Sequence, residues 1–179
     1  MRVMSSLTVC AALCAVAATA NAESPNYIEL GYGFVQIHDS GFSATPGVAI
    51  LRYGYQITPN VAIEADGLAT AQHATVYVPS VLGAVPFNIR VSGGGLFVKG
   101  SINPMPNLEF FAKVGAIDAS VNAAEYGGSV TATGTSAAYG AGAHVGIGTS
   151  AYVQIDYMSY YDKNGAQAHG PALSIGWTF

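Results

Sequence analysis

The chain has 179 residues, of which 51% are hydrophobic and only 9% charged, where an ordinary soluble domain carries about 25% charge. Its mean hydropathy is +0.36 and its formal net charge −4. With so few charges it makes a poor surface for a soluble monomer, and the lack of a basic patch leaves nucleic-acid binding unsupported.

The first 22 residues read as a cleavable secretory signal. Arg2 supplies the basic start, Leu7 to Ala18 the short apolar run, and Ala20-Asn21-Ala22 the small-residue exit before Glu23. That run falls short of the roughly 20 residues a membrane-spanning helix needs. Cys10 and Cys14 both lie within it, preceded by Val9 and Leu13 rather than by the small residue a lipoprotein signal requires. Residues 23–179 are therefore expected as one domain without cysteine or disulfide. With Arg2 removed, five basic residues face ten acidic ones, a net charge of −5.

Eight segments alternate with the period of two that marks a β-strand, at 26–37, 47–57, 61–71, 89–102, 108–120, 138–148, 152–161 and 170–179. Most match the 9–11 residues of a tilted transmembrane strand. The connections alternate in length, with long ones at 38–46, 72–88, 121–137 and 162–169 and short ones at 58–60, 103–107 and 149–151. Long loops outside the cell and short periplasmic turns are the pattern of an outer-membrane barrel, which places both mature termini in the periplasm. A chain this apolar, without a helix to insert, satisfies its backbone in lipid only as a closed barrel. Segment 72–88 is apolar for a loop and is expected as strand extended above the membrane, in preference to a patch contacting a partner or lipid headgroups.

The two faces sort in most segments, and in 89–102 Lys99 alone marks the inner one. In the first segment Ile28, Leu30, Tyr32 and Phe34 oppose Glu29, Gly31 and Gly33; in the last, Pro171, Leu173, Ile175, Trp177 and Phe179 oppose glycine, alanine, serine and threonine. Glu29, Arg52, Glu64, Asp66, Lys99, Glu109, Lys113, His144 and Asp156 share the glycine-rich face, which is assigned to the lumen. A basic side chain facing lipid at midplane costs about 2–4 kcal/mol. An eight-stranded lumen is only wide enough to be filled by side chains. These groups are accordingly expected as a structural network: Arg52 with Glu64 or Asp66, Lys99 and Lys113 with Glu109, and His144 opposite Asp156 across a three-residue turn. Tyr53, Tyr55, Phe110, Tyr152, Trp177 and Phe179 are expected in a periplasmic aromatic girdle. His38, His73 and His169 fall in loops at spacings that supply no metal motif, and no cofactor is expected.

The opening YIELGYGF, the hairpin YGAGAHVGIGTSAYVQIDYMSYY and the closing SIGWTF resemble the small eight-stranded outer-membrane barrels, the OmpA-like or porin-family β-barrel domain. That resemblance spans residues 23–179 and implies an all-β, up-and-down antiparallel transmembrane barrel in a Gram-negative outer membrane, in contact with lipid and lipopolysaccharide. It implies that the barrel-assembly machinery reads the closing strand through Trp177 and Phe179. The peptidoglycan-binding domain of full-length OmpA-like proteins has no counterpart here, so wall anchoring does not carry over. Lipid A deacylases of similar size place His and Ser two residues apart late in the barrel. The comparable stretch, Tyr157-Met158-Ser159-Tyr160-Tyr161, has the Ser without that His. The expected role is structural or surface-interacting, through an external loop partner the sequence does not identify, and not enzymatic. The alternatives are a narrow small-solute or ion channel, a lipid-modifying enzyme, and a soluble lipocalin-like barrel with its faces exchanged.

Overall fold

The computed structural model describes residues 25–39, 42–80, 83–125, 128–163 and 165–179. The expected signal at 1–22 lies outside them. Among the described residues eleven strands follow in order: β1 (Asn26–Phe34), β2 (Gln36–Asp39), β3 (Phe42–Ala44), β4 (Gly47–Thr58), β5 (Val61–Gln72), β6 (Ala74–Ser80), β7 (Gly83–Met105), β8 (Leu108–Glu125), β9 (Gly128–Ile147), β10 (Ala151–Lys163) and β11 (Ala166–Thr178). Eight of them are the staves of one closed antiparallel barrel, β1-β4-β5-β7-β8-β9-β10-β11, and β11 returns to pair with β1 from Tyr27↔Thr178 to Gly33↔Ala172. The other three continue staves above the barrel: β2 pairs with β11 and β3, and β6 with β7.

Closure satisfies the backbone everywhere that lipid would leave it bare. The final residue takes part, since the Phe179 amide donates to the Asn26 carbonyl at 2.9 Å and that of Thr178 to Ser150 at 2.9 Å. Outward faces carry Leu30, Leu51, Leu96, Val98, Val114, Val145, Ile155, Leu173 and Ile175, all exposed; Glu29, Arg52, Glu64, Lys99, Lys113 and Asp156 are buried inside. An apolar exterior around a charged interior rules out the soluble barrel with exchanged faces. Tyr55, Phe110, Trp177 and Phe179 stand exposed toward one end of the band, and Phe34, Tyr139 and Tyr157 toward the other. From His169 to Phe179, β11 runs roughly 33 Å along the strand, or about 25 Å along the membrane normal at a 40° tilt, the height of an outer-membrane apolar band.

Several strands run past their predicted ends. Strands β7, β8 and β9 have 23, 18 and 20 residues, and β8 stays paired with β9 up to Glu125↔Gly128. Segment 72–88 is the expected extended strand, with Ala74↔Ile89 through Ser80↔Gly83 in register. The first segment breaks at Val35, whose amide donates to the Pro46 carbonyl, and resumes as β2. The predicted turn at 103–107 shrinks to Pro106 and Asn107, because β7 continues to Met105.

One correction concerns Tyr152. It faces the lumen, 5% exposed, and not the girdle; Tyr27 joins it there at the same exposure. Each ring lies over a cross-strand glycine, Tyr27 over Gly54 and Tyr152 over Gly176, where an added Cβ would enter the ring. Aromatic cover of a glycine gives the large ring a floor and shields the bare backbone. Gly54→Ala is therefore expected to destabilise the barrel by about 1–3 kcal/mol through overpacking. Gly100→Ala, with nothing within 4 Å of its added Cβ, is expected to be neutral. Urea titration of the refolded protein in detergent reads both, and equal midpoints for the two variants would remove Tyr27 from the packing argument.

Candidate functional site

The lumen is filled in three layers, each set by the inward residues of successive strands. At the end carrying the long hairpins, Val48, Ile50, Leu68, Val91, Ile117, Met158 and Tyr160 belong to one apolar cluster that reaches down to Phe97. The middle is ionic. At the end carrying Asn26 and Phe179, Tyr27, Ala62 and Tyr152 close the floor.

Arg52 organises the ionic layer. It comes from β4 and is 1% exposed. Its Nη1 lies 3.0 Å from Glu29 Oε2 on β1 and 2.8 Å from Asp156 Oδ2 on β10, and Nε lies 3.4 Å from Asp66 Oδ2 on β5. Nη2 donates to Asp156 Oδ1 at 3.0 Å, and Nη1 to the Ser174 hydroxyl at 3.1 Å. Three carboxylates from three staves thus converge on one planar cation, a geometry the guanidinium fork suits and an ammonium does not. Lys113 supplies the second centre, 2.8 Å from Glu64 and 2.7 Å from Asp66. Lys99 supplies the third, 3.1 Å from Glu109 and 3.7 Å from Glu64. Both lysines also lie against rings, Lys99 4.4 Å from the Phe111 centroid and Lys113 5.0 Å from that of Phe97.

These contacts set five carboxylates against three cations. Neutral donors serve the excess: Tyr27 OH donates to Glu64 at 2.6 Å, Tyr152 OH to Glu29 at 2.8 Å, and Gln154 Nε2 to Glu29 at 3.0 Å and Asp156 at 3.1 Å. Sequence reasoning gave Tyr27 no role and misplaced Tyr152. The signal was available, because both have the inward parity of their strands.

The predicted pairings are met in part. Arg52 sits opposite Asp66 on β5 and opposite Glu29 on β1 in register, and its other partners, Asp156 and Ser174, lie on strands far away in sequence. Lys99 reaches Glu109, whereas Lys113 turns to Glu64 and Asp66. His144 does not face Asp156. The β9–β10 turn is Gly148-Thr149-Ser150, with Gly148 at φ 74°, so His144 pairs with Gln154 and Asp156 with Gly142. A turn placed one residue later shifts every partner by two. His144 instead lies 3.5 Å from Glu109, its partner on β8, and stacks on Tyr152 at 4.4 Å. With Tyr27, Lys99 and Glu109 these rings line a cavity of about 40 Å³, space for ordered water.

Two of the other histidines also differ from expectation. His38 lies on β2 and His169 on β11, not in loops, and their rings stack at 6.1 Å. His73 stands between β5 and β6. Ser159 and His169 are cross-strand partners, but the imidazole shares a hydrogen bond between its Nδ1 and the Tyr157 hydroxyl, 2.5 Å apart.

A closed eight-staved barrel with an apolar coat and an ionic lumen defines a membrane-spanning protein of the outer membrane. The chain belongs to the outer membrane protein beta-barrel domain family, which it matches over residues 5–179. Among solved structures it is similar to Ail, the attachment invasion locus protein of Yersinia pestis, at 15% identity and TM-score 0.63, covering 88% of this chain and 100% of that one. It is similar to Neisserial surface protein A at 10% identity and TM-score 0.68, covering 88% and 99%. It also resembles the N-terminal barrel domain of Pseudomonas aeruginosa OprF at 14% identity and TM-score 0.60, covering 88% and 100%. Identities this low show a shared fold. No curated protein matches the sequence.

Arg52→Ala is expected to leave Glu29, Asp66 and Asp156 buried around a missing cation and to cost about 3–5 kcal/mol. Arg52→Lys is expected to recover only part, since one ammonium lacks the fork. The midpoint of urea unfolding in detergent measures both, and an unchanged Arg52→Ala midpoint would reject the three-carboxylate centre.

Proposed function

We propose that this protein is a sealed outer-membrane barrel with a structural or surface-interaction role, displaying the paired extensions of β6–β9 outside the cell and holding both mature termini in the periplasm. The observation that carries this reading is the filled lumen. Met158 and Val48 in the apolar layer are fully buried, as are Glu29 and Gln154 in the layer beneath. An ion crossing it would have to shed water against apolar side chains and then displace Arg52 or Lys113 from bidentate and paired contacts. Either step costs several kcal/mol, which suits a plug and opposes a conducting path. The nine lumenal groups named from the sequence then serve stability, and no catalytic step is assigned to them.

A second observation bears on what the outer surface meets. One Ail structure is a complex with the heparin analogue sucrose octasulfate. In this chain three of the six basic residues are committed to the lumen, and the sequence of the strands toward the long hairpins holds Arg90 and Lys163 against Asp39, Asp118, Glu125 and Asp162. A slightly acidic balance in these segments does not suit a polyanion, so that ligand is not carried over.

Planar-bilayer recording of the refolded protein is expected to show no stepwise conductance, and reproducible single-channel steps from the unmodified protein would overturn the sealed reading. The assembly role assigned to Trp177 and Phe179 rests on their exposed outward positions and on the Phe179 amide tied to Asn26. Deleting Phe179 is expected to lower the amount of heat-modifiable protein in outer-membrane fractions severalfold, and an unchanged amount would remove that role.

A further inference from the structure

Beyond the apolar band β6, β7, β8 and β9 continue as a four-stranded sheet, with β6 at one edge and β9 at the other. Pairing of β10 with β9 stops at Ser159↔Tyr139, so among the described residues Gly128–Gly134 have a ladder partner on the β8 side alone. One contact and the register tell which way each backbone group of β9 points. The Gly146 amide donates to the Asn107 carbonyl, on the β8 side. Register from Leu108↔Val145 to Glu125↔Gly128 is unbroken, so even-numbered residues of β9 bond to β8 and odd-numbered ones turn away from it. Ser129, Thr131 and Thr133 therefore present their N–H and C=O groups to the open side. At a 40° tilt, Thr131 stands about 20 Å farther from the membrane than Tyr139.

Edge strands are normally guarded by charge, proline or a bulge. The opposite edge has such guards, since β6 contains Pro79 and lies beside β3. On β9 they are missing: residues 128–138 (GSVTATGTSAA) hold no charge and no proline, and they pair with β8 without a bulge. Every residue from Gly128 to Thr135 is exposed. The strand is also two-sided. Val130, 72% exposed, and Ala132 share a face with Ala123 and Val121, while Thr131 and Thr133 share the other with Asn122 and Ser120. A second barrel in the same membrane does not fill this edge. Its β9 runs the same way, and a twofold axis along the normal sets identical edge residues face to face, where parallel pairing needs them offset by one. The edge can thus stay open among crowded copies of the protein and still receive a strand that arrives from elsewhere.

We propose that the open edge of β9 at Gly128–Gly134 is a docking site for an extended, uncharged strand of another polypeptide, which adds antiparallel to the sheet as its fifth strand. Main-chain bonds to Ser129, Thr131 and Thr133 supply the attachment. Selection comes from the two faces, with apolar side chains set beside Val130 and Ala132 and hydroxyl side chains beside the threonines. The assignment rests on the reading that the long hairpins are external, and it names the class of partner that such a surface role would take.

The probe is a dye-labelled synthetic peptide with the sequence of residues 128–134. Paired antiparallel about Thr131 it is complementary to the edge, because Val130 then meets alanine and Ser129 meets threonine. Fluorescence anisotropy with the protein refolded in detergent is expected to show saturable binding. N-methyl groups on the peptide's second, fourth and sixth residues, whose amides face β9, are expected to abolish it. N-methyl groups on the third and fifth, whose amides face away, are expected to leave it. The variant Thr133→Pro removes an outward amide while sparing the bonds to β8. It is expected to keep its heat-modifiability and to bind about tenfold more weakly; should it fail to fold, the two methylated peptides still decide. Equal binding of those two peptides would overturn the site, as would no binding of the parent peptide. A detergent dimer that Thr133→Pro dissociates would also overturn it, by giving the edge to a second copy. Orientation is read separately, by labelling a Gly128→Cys variant, where a side chain has open space, in intact cells with a membrane-impermeant maleimide. Protection there would strike the external reading itself, while labelling without peptide binding would strike only the edge.

Discussion

Closure of the sheet through the β1–β11 pairing is the constraint on which everything else in this molecule depends. Once Tyr27 to Gly33 pair with Thr178 to Ala172, no edge remains to be satisfied in lipid, and the stave count settles how wide the interior is. Eight staves leave a bore that side chains must fill. The inward residues are therefore chosen for mutual fit, small where a ring or guanidinium arrives from another strand and long where the bore would otherwise be empty. Arg52 answers the second need, and Gly54 and Gly176 the first.

The interior solves two problems with different chemistry at different depths. Toward the hairpins it packs as an apolar core resembling that of a water-soluble protein, and beneath that layer it gathers three cations and five carboxylates. Charges so placed are expensive unless each has a partner of good geometry. The three cations each meet two or more carboxylates, and Tyr27, Tyr152 and Gln154 cap lone pairs the cations leave. Every stave from β1 to β11 adds a member to this packing, so the interior cross-links strands that are not neighbours in the ladder.

Much of this was legible in the alternation. Lipid penalises a charge on the wrong face so heavily that the parity of Glu29, Arg52, Glu64, Lys113 and Asp156 had one reading, and the structure buries all five. Parity alone does not say which charges meet across the bore. Lys113 was expected beside Glu109 because the two share a strand face, yet its ammonium crosses to β5. His144 was lost to a turn displaced by one residue, because in an antiparallel hairpin such a displacement moves every cross-strand partner by two. The upper halves of β8 and β9 read as a long connection in which only Ser129–Thr133 looks β-prone enough to extend a strand, because their serine, threonine, alanine and glycine give little hydrophobic contrast between faces. Ser159 and His169 seemed unrelated because a strand start inside 162–169 carried no apolar marker, although β11 begins at Ala166.

The hairpin of β8 and β9 remains in register to Glu125↔Gly128, well past the apolar band, with Asn122 bonded to Thr131 and Asp118 to Thr135 across it. A binding element built this way has little conformational freedom left to surrender when it meets another molecule. Its ordering entropy is already spent in folding, so a modest contact area suffices for useful residence time. Because that hairpin carries few charges, encounter is not hastened by long-range attraction, and its association rate should respond only weakly to ionic strength.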